Sequence, residues 1–74
     1  MTYYNYSIKI TDTITGKTYN HVNITCLGTA RLMAERFSQG FRVADVIDQN
    51  TGAIMATYES GEATYMDYDP YAGY

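Results

Sequence analysis

Several ingredients are scarce in this chain. It has no Trp, one Pro and one Cys, Cys26, and no basic residue follows Arg42. A lone cysteine cannot form a disulfide within the chain, so we expect a reducing, cytoplasmic setting. No apolar run approaches the roughly 20 residues that a membrane-spanning helix needs. The N-terminal residues alternate and lack a basic n-region, which predicts a soluble protein without a signal peptide or membrane anchor.

The short chain limits the size of the core. It has 74 residues, and a domain of this size buries only about 60% of the surface that its unfolded chain exposes. Many such chains gain stability from disulfides, metals or self-association. We predict one folded domain over residues 1–60, followed by an acidic, tyrosine-rich tail over 61–74.

Charge is divided unevenly along the sequence. All five basic residues lie within residues 1–42, against Asp12 and Glu35, whereas residues 43–74 carry six acids and no base. The two parts therefore have formal charges of +3 and −6, an asymmetry typical of interaction surfaces or tails. The net charge of −3 and the pI near 4.7 disfavour general binding to duplex DNA.

A short motif, Asp-x-x-Thr-Gly, occurs twice, from Asp12 to Gly16 and from Asp48 to Gly52. The Asp side chain can accept hydrogen bonds from the following backbone, and the Gly can adopt a positive φ. Both motifs therefore predict hairpin turns.

Alternating apolar residues predict the strands that flank these turns. Before the first turn they are Tyr4, Tyr6, Ile8 and Ile10. After it, Val22 and Ile24 are expected to continue the apolar face, with Tyr19, His21 and Asn23 on the other. Residues 41–47 and 54–58 are apolar on both sides, which favours a more central position in the sheet.

Residues 27–39 contain the only strong helical pattern. Leu27, Ala30, Ala34 and Phe37 lie on one stripe, and Arg31 is expected to face water. The order is therefore ββαββ. We predict an α+β fold with a four-stranded antiparallel sheet in the order 2-1-3-4 and one helix on one sheet face.

This architecture leaves the second sheet face uncovered. The candidates for it are Tyr3, Tyr19, His21, Met55 and Val46. Tyr and Met are enriched in protein interfaces, so we expect that face to be covered by a partner, by a second copy of the chain or by the tail.

The tail repeats Tyr at every third position from Tyr65 to Tyr74, with Asp67 and Asp69 between them. This period favours a polyproline II segment, in which the rings align on one edge. Carboxylates and rings in such a segment can imitate the phosphates and bases of a nucleic acid. The predicted partner-binding residues are Tyr58, Glu59, Glu62, Tyr65, Asp67, Tyr68, Asp69 and Tyr71.

The sequence thus predicts a small, non-enzymatic protein-binding module. We expect it to inhibit a protein by docking on a basic, nucleic-acid-binding surface through its acidic-aromatic half. Two alternatives stay open. One is a binder of single-stranded nucleic acid that stacks bases on sheet tyrosines, and the other is a structural protein that forms a homodimer. Direct binding of nucleic acid is disfavoured, because the acidic residues outnumber the basic ones and repel the phosphates.

No catalytic, cofactor or metal motif is found. Alternation places His21 and Cys26 on opposite faces, and it predicts a buried, inert thiol at Cys26. A calcium loop starting at Asp48 fails because Gly52 and Ala53 occupy positions that need an oxygen donor and a glycine. We therefore expect no enzymatic activity and no cofactor.

Overall fold

A computed structural model describes residues 5–66 of the chain. Five strands and one helix follow one another in the order ββαβββ. Their bounds are β1 Tyr6–Asp12, β2 Thr18–Ile24, α1 Leu27–Phe37, β3 Arg42–Asp48, β4 Ile54–Glu59 and β5 Glu62–Met66. No helix among these residues is both long and apolar enough to cross a membrane.

The strands form one antiparallel sheet in the order β2-β1-β3-β4-β5. The predicted α+β class and the order of the first four strands are confirmed. The predicted count of four strands is wrong, because β5 pairs with β4 and forms an edge of the sheet. This strand lies within residues 61–74, the segment predicted to be a tail.

The fifth strand exists because the chain reverses direction in two residues after β4. Ser60 and Gly61 both have positive φ, 51° and 81°. Two residues of this kind form the hairpin turn whose twist matches that of the flanking strands. The Ser-Gly dipeptide between two strand-like segments is the sequence signal for this turn.

The two Asp-x-x-Thr-Gly turns have the predicted geometry. Asp12 Oδ1 accepts a hydrogen bond from the N–H of Ile14 at 2.9 Å, and the Asp12 carbonyl accepts one from Gly16 at 2.8 Å. In the second turn the Asp48 carbonyl accepts one from the N–H of Gly52 at 2.7 Å. Gly16 and Gly52 have φ of 76° and 77°. Glycine adopts this left-handed backbone conformation at little energetic cost in both turns.

The core lies between the helix and one face of the sheet. Ala30 and Ala34 are fully buried, because these small side chains let the helix backbone approach the strands closely. Leu27, Met33 and Phe37 pack against the same core at its margin. The predicted helical stripe is therefore confirmed. The buried sheet residues are Ile8, Ile10, Ile24, Ala44, Val46, Ala56 and Tyr58.

An extra residue in β2 changes which side chains face the core. His21 lies opposite Ile8, whereas Ile24 lies opposite Tyr6, so three steps along β2 match two along β1. Asn23 takes up the difference with a left-handed φ of 66°. His21 and Ile24 therefore lie on the same face as the helix, and the prediction that they lie on opposite faces is wrong.

Candidate functional site

The face of the sheet opposite the helix carries acidic and apolar side chains. Directly opposite residues on neighbouring antiparallel strands share one face. Thr57 lies opposite both Asp45 and Tyr65 in the sheet register, and Glu59 lies opposite Glu62. We call this surface the acidic face and define it by Asp45, Ile54, Thr57, Glu59, Glu62 and Tyr65.

Three of the predicted partner-binding residues meet on this face. Glu59 ends β4, Glu62 begins β5, and Tyr65 lies further along β5 with 47% of its surface exposed. A register shift between β4 and β5 keeps Tyr65 on the same face as Glu62, although they are three residues apart. Tyr65 therefore belongs to a strand and not to a polyproline II segment. The predicted residues Asp67, Tyr68, Asp69 and Tyr71 lie outside the described residues.

Tyr58 is placed differently from the other predicted contacts. It lies on the helix side of β4 and is 4% exposed. Its Oη atom accepts a hydrogen bond from Nε of Arg31 at 3.1 Å. A ring buried in this way belongs to the core. The sequence suggested a surface contact at Tyr58, whereas the structure gives this residue a structural role. Arg31, which the helical pattern directs to water, instead reaches back to the sheet.

A shallow groove of about 450 Å³ lies on the acidic face. Its lining residues are Ala53, Ile54, Thr57 and Tyr65. Thr57 Oγ1 donates a hydrogen bond to Asp45 Oδ1 at 2.7 Å, which fixes the carboxylate beside the groove. The groove thus joins an apolar lining to a positioned negative charge, a combination suited to a side chain with an apolar stem and a cationic end.

The charges on this face are only partly balanced. Lys9 lies directly opposite Asp45 on β1. Glu59 and Glu62, however, lie opposite each other, and both are exposed. Like charges in this position repel and destabilise the strand pair. A cation supplied from outside would relieve that repulsion.

The predicted tyrosine- and methionine-rich face is not found in the described residues. Val46 is fully buried on the helix side. The ring of His21 lies 5.6 Å from that of Phe37, so it also lies on the helix side. Met55 packs partly against the core, next to a register shift between β3 and β4. Tyr19 shares the face of its β1 partner, Ile10, and Tyr3 lies outside the described residues.

Cys26 is exposed, and the prediction of a buried thiol is wrong. The alternation of β2 ends at Ile24, so strand parity no longer determines the orientation of Cys26 at the helix N-terminus. The backbone N–H groups of Thr29 and Gly28, and then the Thr29 hydroxyl, favour the thiolate and lower the pKa of the Cys26 thiol. Within residues 5–66, no group of three or more His, Cys, Asp or Glu side chains is arranged to hold a metal ion.

The geometry therefore presents a sheet face, opposite the helix, that no element within residues 5–66 covers. It carries three carboxylates, an apolar groove and an exposed tyrosine. Comparisons of the chain with models of protein families, with curated proteins and with solved structures found no match.

Proposed function

We propose that the chain is a small, non-enzymatic protein-binding module that docks on a basic protein surface through its acidic face. The observation that carries this proposal is the meeting of Glu59, Glu62 and Tyr65 on the side of the sheet that the helix leaves uncovered. These residues come from two strands, and the β4–β5 hairpin fixes their positions relative to one another. A rigid surface of this kind loses little conformational entropy on binding.

The facing carboxylates of Glu59 and Glu62 explain why the proposed partner surface is basic. The Glu59 and Glu62 pair lowers the stability of the hairpin by roughly 0.2–1 kcal/mol, the usual size of a cross-strand charge effect. Basic side chains of a partner relieve this repulsion and gain an attractive interaction. Complementary charge also speeds the encounter of the two proteins.

The proposed activity is inhibition. A basic protein surface that grips nucleic acid binds phosphates with Lys and Arg, and it often stacks bases on aromatic rings. Carboxylates next to the Tyr65 ring offer a similar pattern of charge and aromatic surface. The sequence continues it with Asp67, Tyr68 and Asp69. The acidic face would therefore compete with the nucleic acid for its site.

The alternative of direct single-strand binding has less support. Tyr6, one of its proposed stacking residues, packs partly against the core. Tyr19 lies on β2, at the opposite edge of the sheet from the exposed Tyr65 on β5. Within residues 5–66, exposed tyrosines at opposite edges of the sheet do not form the series of stacking positions on which such binding depends.

The test begins with capture of the partner from cells that make the protein, followed by measurement of the dissociation constant with purified components. The E59Q/E62Q double variant removes the two charges with little change of shape, and E35Q, on the exposed side of the helix, is the matched control. We expect the double variant to bind roughly tenfold or more weakly, with a smaller dependence on salt. E35Q should bind like the parent protein.

Two results would overturn the proposal. One is an affinity unchanged in E59Q/E62Q and independent of salt. The other is tight uptake of a labelled single-stranded oligonucleotide by the protein alone, which favours the direct nucleic-acid binder. A D67N/D69N variant, tested in parallel, measures how much the two carboxylates that follow β5 in the sequence contribute to the affinity.

A further inference from the structure

Strand β2 forms one edge of the sheet and lacks the usual protection of an edge. Within residues 5–66, no strand pairs with its outer side. Edge strands are commonly blunted by charged residues or proline, because their open backbone groups pair with other strands. Between Thr18 and Ile24 there is no Asp, Glu, Lys, Arg or Pro. Tyr19 and Val22 are 53% and 49% exposed. This edge is therefore open to a further strand.

The opposite edge is better protected. Strand β5 has five residues against the seven of β2, begins with the exposed Glu62, and shifts its register against β4. A bulge also interrupts β2 at Asn23, but it follows the run from Thr18 to Val22. The two edges thus differ, and β2 is the one on which further pairing is expected.

The hydrogen bonds at the β1–β2 turn show which backbone groups of β2 point outward. The N–H of Asp12 donates to the carbonyl oxygen of Lys17 at 2.8 Å, so this pair is bonded across the two strands. Bonded and non-bonded pairs alternate in an antiparallel ladder. Two and four residues further along β2, Tyr19 and His21 therefore bond to β1. The backbone N–H and carbonyl groups that face away from β1 are those of Thr18, Asn20 and Val22.

We propose that β2 pairs with β2 of a second copy, antiparallel and about a two-fold axis through Asn20, so that the two sheets become one. In this register Asn20 bonds to its counterpart, and Thr18 bonds to Val22 of the other copy. Directly opposed residues of this kind exchange both of their backbone hydrogen bonds. Between the bonded pairs, Tyr19 lies opposite His21 of the other copy, which forms an aromatic cross-strand pair on the helix side.

This register keeps like charges apart. Lys17, the charged residue nearest to β2 in the sequence, lies three residues from the axis, so its two copies are roughly 20 Å apart at opposite ends of the contact. Lys9 lies opposite Asn20 on β1. Three strand spacings separate it from its counterpart, or roughly 14 Å, which exceeds the Debye length of about 8 Å at physiological salt.

A second copy suits this edge better than a strand of a basic partner does. An uncharged edge offers a basic strand no charge complementarity, whereas it pairs with itself without repulsion. A two-fold contact requires one surface that complements itself, and the register about Asn20 has that property. The helix packs over β1, β3 and β4 more than over β2, which leaves space beside β2 for the second sheet.

The test is sedimentation velocity of the full chain over a dilution series. We expect a monomer–dimer equilibrium for the parent protein. T18E/V22E sets like charges opposite each other across the axis, and it should raise the dimer dissociation constant by roughly tenfold or more. T18K/V22E, the matched control, changes the same positions but sets opposite charges together, so it should dimerise at least as tightly as the parent.

Amide hydrogen exchange followed by NMR reads the contact residue by residue. In the concentrated parent protein, the amides of Thr18, Asn20 and Val22 should exchange slowly, and dilution should make them exchange faster. The amides of Tyr19 and His21 bond to β1 in monomer and dimer alike, so they are the internal control.

Three outcomes would overturn the inference. They are a monomer at every concentration up to the millimolar range, equal dimer stability in T18E/V22E and T18K/V22E, and an Asn20 amide that exchanges as fast in the dimer as in the monomer. Circular dichroism of each variant checks the fold, which should not depend on the exposed positions 18 and 22. E59Q/E62Q, which weakens binding of the proposed basic partner, should dimerise like the parent, so the two proposals fail separately.

Discussion

Single residues show most directly where local pattern and structure diverge. Tyr58 stands beside Glu59 in an acidic, aromatic segment, and the segment's composition suggests an exposed contact. The pairing of β4 with β3 instead turns Tyr58 toward the helix, where Arg31 donates to its hydroxyl. Composition describes a whole segment, whereas strand pairing decides which sheet face each side chain lies on.

Removing the Tyr58 hydroxyl tests this structural role. Tyr58→Phe keeps the buried ring but loses the hydrogen bond from Arg31, so the free energy of unfolding should fall by about 1 kcal/mol. Urea denaturation measures the change. Tyr19→Phe, at an exposed position, should stay within about 0.5 kcal/mol of the parent. A Y58F protein that is as stable as the parent but binds its partner poorly would show that Tyr58 contacts the partner and contradict its structural role.

The Asp12 carboxylate gives a prediction about pH. Backbone N–H groups of Ile14 and Thr15 donate to it, and they are the main reason that the pKa of Asp12 lies below its usual value. The stability it contributes is therefore fully present above about pH 4, the ordinary range of an aspartate, and is lost as the pH falls through the lower folded-state pKa.

The D12N variant tests the sign of this effect. Its amide oxygen can accept the same hydrogen bonds, so the variant differs mainly in charge. D12N should be less stable than the parent at neutral pH, and the difference should shrink as the pH falls below about 4. Urea unfolding at several pH values gives the comparison, with E35Q as a control. A difference that grows toward low pH would contradict the account.

Among the secondary-structure elements, the end of the helix and the turn of the last hairpin are joined by the buried hydroxyl of Ser38. Ser38 is fully buried, donates to the carbonyl oxygen of Glu35 at 2.9 Å and accepts from the N–H of Gly61 at 3.0 Å. Ser38→Ala should lower the free energy of unfolding by roughly 1–3 kcal/mol, because the N–H of Gly61 loses its partner. Ser60→Ala removes an exposed hydrogen bond to Gly40, and it should cost less than about 1 kcal/mol. Equal losses would show that burial of the Ser38 hydroxyl is unimportant.

The bulge in β2 leads to a prediction about the stability of the protein. Asn23 has a left-handed backbone, which glycine adopts easily and β-branched residues resist. Asn23→Val should lower the free energy of unfolding by roughly 1–2 kcal/mol, whereas Asn23→Gly should be neutral or slightly stabilising. Asn20→Val, also exposed on β2, is the matched control and should change little. If both valine variants behaved alike in urea denaturation, the bulge would not constrain this position.

These elements also show what the sequence can predict. The turns at Asp12 and Asp48 and the stripe through Ala30 and Ala34 depend on neighbours in the chain, and they are predicted correctly. The bulge at Asn23 depends on the register between strands, which alternation within one strand does not contain. The side assigned to Tyr19 and His21 was wrong for that reason. β5 had a local signal, the Ser-Gly turn, but the acidic composition around it favoured a tail.

For the complete chain, the order of the first four strands follows from two hairpins and one crossing helix, because antiparallel neighbours in sequence pair easily. The division of charge gains a spatial meaning in the folded protein. Most acids after residue 42 lie on the β3–β4–β5 half of the sheet, and Glu59 and Glu62 share its face opposite the helix. The candidate surface was therefore predictable in composition, but only the strand pairing shows that Glu59, Glu62 and Tyr65, of all the predicted contacts, share one face.

The fifth strand changes how truncation should be used to locate binding. β5 pairs with β4, and Met66 packs against the core. A chain that ends after Met66 should therefore keep the five-stranded sheet and unfold cooperatively in urea. A chain that ends after Tyr58 loses β5 and exposes the β4 edge, so its far-UV circular dichroism should show less strand and its unfolding midpoint should fall. Partner binding retained by the chain ending at Met66 assigns recognition to the acidic face, whereas binding lost there assigns it to residues 67–74. A chain ending at Tyr58 with the stability of the full protein would show that β5 is dispensable for the fold.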